Sequence, residues 1–120
     1  PAYMSGTSLK EGENMVLWHA TDYQNIASIM EKGIIPNRYN EVFFADNPAS
    51  AMMFLAMRGY THIVALPVEF KPAEVTESFD HSREFYRCRA YTFNKLVEPT
   101  RIMWDKARQV NIEERPVKVS

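Results

Sequence analysis

The stretch from Thr61 to Phe70 is apolar at nearly every position. A segment of this length with no polar face has to be covered on both sides, which is the pattern of a central strand between two layers. Pro67 interrupts it with a residue that cannot donate a ladder hydrogen bond, so a bulge or a free edge is expected there. Met15 to His19 and Val42 to Ala45 have the same buried character. Arg83 to Thr92 alternates instead, with Phe85, Arg87, Arg89 and Tyr91 on one face and Glu84, Tyr86, Cys88 and Ala90 on the other, as a half-buried strand does.

Helical signals fall between these strands. Thr21 with Gln24 forms a capping box, with Asp22 as a competing cap. Tyr23, Ile26, Ile29 and Met30 then share one stripe of a helix that Gly33 terminates and Pro36 confirms as ended. Asn47-Pro48 pairs a capping residue with a first-turn proline and opens a second helix, rich in Ala and Met, that runs to about Gly59. Helices are therefore expected over 22–32 and 48–58. Strands mixed with helices in this order describe an α+β domain.

Bulk properties bound the function. The 120 residues suit one domain, with residues 1–14 read as a flexible lead, Met4 or Met15 as candidate starts, and 15–120 as the folded unit. The net charge of −1 provides no global basic field for a polyanion. Locally, Arg83 to Arg108 carries seven cations against three acids, an excess of +4 that suits a pyrophosphate, a nucleic acid or simply a solvated face. A single cysteine, Cys88, excludes an internal disulfide and reads as a packed, reduced thiol. The longest apolar run, Ala51 to Met57, spans seven residues against the ~20 that cross a bilayer, so a soluble cytoplasmic protein without membrane contact is expected. His19, His62 and His81 with Cys88 have no zinc spacing, and no metal site is expected.

Two motifs carry more specific information. Leu17-Trp18-His19-Ala20-Thr21, read on through the following helix to Gly33, is similar to the histidine-glycine motif of the ADP-ribosyltransferases. Val42-Phe43-Phe44-Ala45-Asp46 resembles the tyrosine-phenylalanine-alanine-aspartate strand of the same superfamily, as found in the catalytic domain of the poly(ADP-ribose) polymerases. The resemblance covers roughly Met15 to Leu55. It implies two small, twisted, mainly antiparallel sheets around an NAD cleft, with the helices outside. It also implies an enzyme that uses NAD as substrate and moves ADP-ribose to a macromolecular acceptor, a protein more than a nucleic acid.

Cleavage of the nicotinamide–ribose bond passes through an oxocarbenium-like state. It calls for a clamp on the ribose, a slot for the ring and a carboxylate beside the developing charge. By resemblance His19 is the clamp, the Ala20 backbone meets the nicotinamide amide with Thr21 beside it, and Phe43 and Phe54 form the slot, since stacking needs an aromatic face and not a hydroxyl. Glu84 is the implied catalytic carboxylate, with Glu69 and Glu98 as rivals. The loop from Lys71 to Ser82, with Asp80-His81, is the implied acceptor contact.

The chain departs from the family at Ala20 (usually glycine), Phe43 (tyrosine) and Ala51 (commonly serine). Three readings follow: a mono-ADP-ribosyltransferase, an NAD-dependent RNA 2'-phosphotransferase that would need arginines at the pocket, and a non-catalytic NAD-binding or interaction module on the same fold. Sequence leaves the acceptor and the oligomeric state open.

Overall fold

A computed structural model describes residues 14–78 and 89–112. Glu84, Cys88, the Asp80-His81 pair and most of the strand expected over Arg83 to Thr92 lie outside the described residues. The described chain forms a mixed α/β domain with strands β1 (Met15–Asp22), β2 (Val42–Ala45), β3 (His62–Phe70), β4 (Thr76–Glu77), β5 (Ala90–Phe93) and β6 (Arg108–Asn111) and helices α1 (Ile26–Lys32) and α2 (Pro48–Ala56). The strands join in the order β4-β5-β2-β1-β3-β6, every pair antiparallel.

Where two sheets were expected, the described strands thus make a single six-stranded one. Its middle is narrow. β1 and β3 pair along their whole length, from Met15 opposite Phe70 to Asp22 opposite Ile63. β1 and β2 share one register pair, Trp18 opposite Ala45. The sheet is continuous because that pair holds, and it is nearly divided because no longer ladder follows.

Strand alternation assigns the faces. Leu17, Val42, Phe44, Val64, Leu66, Val68, Phe70 and Phe93 point to one side, where Ile29 of α1 and Ile34, Val97 and Ile102 complete the larger core. Phe44 and Phe70 meet edge to face at 5.0 Å, and Phe93 packs on Phe70 at 4.9 Å. On the other side Ala45, Ala51 and Ala90 are buried with Trp18, Ala20 and Phe54 packed around them. Alanines on both partners let α2 lie close to the sheet. β3 is buried on both faces from Ile63 to Val68, as its sequence requires.

Pro67 is accommodated by its position. Its carbonyl accepts the Met103 N–H at 2.9 Å, and in an extended residue N and O face the same edge, so the missing N–H points away from β1. β6 pairs only His62 to Ala65, and beside Pro67 that edge carries just the isolated Val68–Ile102 bridge, in which the proline is needed as an acceptor only.

Two local expectations are corrected at the start of α1. Thr21 does not cap: β1 continues through Asp22, which keeps Thr21 in the sheet, buried, its Oγ1 accepting from Asn25 Nδ2 at 3.1 Å. Asp22 caps instead, accepting the Gln24 N–H at 3.3 Å. The first turn, Tyr23–Asn25, is a 3-10 turn. Three residues per turn shift the phase of the stripe, so Tyr23 and Met30 are exposed while Ile29 is buried. Tyr23 stacks flat on the His62 ring at 4.2 Å. α2 follows its sequence closely, with Asn47 Oδ1 accepting the Ser50 N–H at 2.8 Å and Pro48 in the first turn.

Gly33 ties the C-terminal segment to this frame. It sits at φ 85°, and a Cβ there would collide with the Val97 carbonyl oxygen, which accepts the Ile34 N–H at 2.9 Å. Gly59, at φ 98°, has open space where its Cβ would be. Gly33→Ala adds a backbone collision to the strain of positive φ, and Gly59→Ala adds the strain alone. Chemical denaturation is expected to show a loss of about 2–3 kcal/mol for Gly33→Ala and no more than roughly 1 kcal/mol for Gly59→Ala. Equal losses would mean that the Ile34–Val97 pairing does not constrain this position.

Candidate functional site

The narrow junction of β1 and β2 is where a concave site forms. Strand β1 delivers Trp18, His19 and Ala20 to it, β2 delivers Val42 and Phe43, and α2 delivers Ala51, Phe54 and Leu55. The loop between α1 and β2 closes the remaining side with Ile34, Ile35, Asn37 and Glu41. The cavity measures about 270 Å³. A second cavity of about 240 Å³ shares His19, Ile34 and Ile35 with it and continues along α1 past Thr21, Asn25 and Ser28. The first is walled mainly by apolar and aromatic groups and the second adds hydroxyls and an amide, so the two together form a groove graded from apolar to polar.

His19 belongs to both cavities. Its Nδ1 lies 2.8 Å from the Phe43 carbonyl oxygen, which can only accept, so Nδ1 carries the proton and Nε2 is an acceptor. This bond crosses from β1 to β2, beside their single register pair. The ring also packs on Phe44 at 5.7 Å. Burial lowers its pKa below the ordinary 6.5, only partly offset by the hydrogen bond to Phe43, so the ring is neutral at pH 7.

The structure therefore brings His19, Ala20, Phe43 and Phe54 to one cavity and puts Thr21 in the adjoining one. These residues come from three elements and span His19 to Phe54 in sequence. Phe54 is also engaged by Arg58, whose guanidinium lies 4.4 Å from the ring centroid. Ala51 is buried against Ala45 and Ala90, so a small side chain at that position serves helix–sheet packing.

Glu84 lies outside the described residues. Its two rivals do not line either cavity: the Glu69 carboxylate accepts from Asn14 Nδ2 at 2.9 Å, and Glu98 precedes the 3-10 turn Pro99–Arg101. Among the described residues the acid at the cavity is Glu41, which sequence reasoning missed. Its signal was slight, a lone acid just before the β2 strand. What positions it is the Asn37 side chain, whose Oδ1 accepts the Tyr39 N–H at 2.9 Å and the Glu41 N–H at 3.1 Å, folding the loop back onto the strand entry. The Asn37 N–H donates in turn to the Glu41 carbonyl at 3.0 Å.

Of the cations behind the basic excess, Arg83 and Arg87 lie outside the described residues, and the following ones line neither cavity. Arg101 bonds the Glu74 carboxylate and the Glu69 carbonyl, both at 3.0 Å, and lies over Phe70 and Phe93. Arg108 lies over Trp18 at 5.7 Å. Among the described residues no Lys or Arg lines either cavity.

The lowered pKa of His19 has a consequence for stability. The folded chain binds this proton less readily than the unfolded chain, so below pH 6.5 the unfolded state carries more protons. Stability is expected to be level above about pH 6.5 and to fall as pH drops from there toward the folded-state pKa. His19→Gln, which keeps a donor and an acceptor but does not titrate, should flatten that part of the profile. Urea unfolding at several values between pH 7.5 and pH 5 measures the difference in slope; parallel profiles for the two proteins would refute the assignment of a neutral, buried His19.

Compared with protein-family models and with curated proteins, the chain matches none.

Proposed function

We propose that this groove binds NAD by its nicotinamide end and that the protein is a mono-ADP-ribosyltransferase acting on a macromolecular acceptor. The observation that carries the reading is the His19–Phe43 hydrogen bond. It holds a neutral imidazole with Nε2 as an acceptor for a ribose hydroxyl, beside a cavity with Phe43 and Phe54 in its wall.

Size supports the same division. Small-ligand pockets run from roughly 300 to 1,000 Å³. The apolar cavity, at about 270 Å³, suits one ring and its immediate sugar. The adjoining cavity with Thr21, Asn25 and Ser28 offers polar partners to the rest of an elongated ligand. The almost divided sheet supports the finer ADP-ribosyltransferase-like architecture, since a two-sheet cleft and a one-sheet domain differ here by the Trp18–Ala45 pair alone.

In the reaction the C1'–N bond to nicotinamide breaks and its electron pair returns to the ring, neutralising the pyridinium. The acceptor's nucleophile bonds to C1' and gives up its proton. His19 and the backbone of Ala20 orient the ribose and amide, while the resemblance assigns Glu84 the developing positive charge. The RNA 2'-phosphotransferase reading would draw its arginines from the 83–89 cluster, of which Arg83 and Arg87 lie outside the described residues.

An assay of NAD hydrolysis and acceptor labelling tests the proposal. Glu84→Gln keeps shape and loses charge, and losing such transition-state stabilisation costs about 3–4 kcal/mol, or a factor of ~100 to 1,000 in kcat, with NAD affinity little changed. His19→Ala should weaken NAD binding as well as turnover. NAD binding without turnover in the wild type would favour the non-catalytic module, and absence of NAD binding would overturn the assignment altogether.

A further inference from the structure

The proposed reaction makes no demand on Glu41, yet this side chain stands at the same cavity. It is the one acidic residue among the described lining, and every other described lining residue is neutral at pH 7, His19 included. It is half-buried. Among the described residues no hydrogen bond or ion pair holds its carboxylate, although its backbone N–H and carbonyl are both fixed by Asn37. The backbone is thus anchored and the charge is left for something else. Trp18 and Phe43 lie in the same wall.

A carboxylate beside aromatic faces, in a cavity with no cation among its described lining residues, has the composition of a site for a flat organic cation. We infer that Glu41 makes this cavity selective for a positively charged, ring-N-substituted pyridinium over a neutral ring of the same shape. The inference rests on the NAD reading above and adds to it. The nicotinamide ring of NAD is such a cation. Nicotinamide after bond cleavage and the dihydro ring of NADH are both neutral, so the same carboxylate favours the oxidised substrate and does not retain the leaving group. Arg58 over Phe54 and Arg108 over Trp18 each act on a ring of the wall without lining the cavity themselves.

The test uses two probes of nearly equal shape, neutral nicotinamide and nicotinamide methylated at the ring nitrogen, titrated into the full chain by calorimetry. Wild type should bind the methylated cation roughly 3- to 10-fold more tightly than the neutral ring, less so as salt is raised. Glu41→Gln should lose that preference while binding the neutral ring as before, and Glu41→Lys should invert it. Equal binding of both probes by the wild type, or a preference that survives in Glu41→Gln, overturns the inference. If NAD is bound or consumed but the preference is absent, the inference fails and the NAD reading stands. If neither probe nor NAD binds, both fail.

Discussion

The antiparallel pairing of β1 with β3 is the constraint on which the rest of the molecule depends. It runs unbroken from Met15–Phe70 to Asp22–Ile63. Because side chains alternate, one register decides every residue's side: Leu17, Val64, Leu66, Val68 and Phe70 go to the face that α1 covers, and Trp18, Ala20 and Ala65 go to the face that α2 covers. A slip of one residue would put Leu17 under α2 and Trp18 in the large core. The apolar composition of β3 makes both faces costly to expose, which is why helices on opposite sides are needed.

Against that rigid pair, the junction with β2 is economical. One register pair and one side-chain hydrogen bond, from His19 Nδ1 to the Phe43 carbonyl, connect the halves of the sheet. A carbonyl left at a parted strand end needs a donor, and His19 supplies it. The same bond sets the tautomer of the ring at the cavity that lies where the β1–β2 ladder stops. Structure and site are therefore coupled through one residue: what joins the sheet also orients the group proposed to hold ligand. The Ile34–Val97 pairing at Gly33 plays the corresponding part on the other side of the groove, where it fixes the segment leaving α1 and so the wall that Ile34 and Ile35 contribute.

Much of this was legible in the sequence where the signal was local. The extents of β2 and β3, the Asn47-Pro48 start of α2 and the glycine stop at Gly33 follow from capping chemistry, apolar pattern and backbone freedom, which act over a few residues. The grouping of His19, Ala20, Phe43 and Phe54 was implied by a resemblance, not by spacing, and their common cavity depends on the β1–β2 junction. Glu41 escaped notice because nothing in a lone acid before a strand tells which way the loop will fold.

What the sequence determined by itself was that β1, β2, β3, α1 and α2 must form and that the central strand must be covered twice. The stretch read as a loop over 71–82 instead holds the 3-10 turn Pro72–Glu74 and strand β4, which exists only by pairing with β5. Tertiary structure decided the rest. The ladder to β3 carries β1 through Asp22, so Asp22 and not Thr21 caps the next turn; that turn is 3-10, so Tyr23 and Met30 leave the core. The union of the strands into one sheet hangs on Trp18 meeting Ala45. Local propensity is a matter of neighbours in the chain, whereas register, the phase of a helix and the convergence of distant side chains are settled by contacts between segments that the sequence separates.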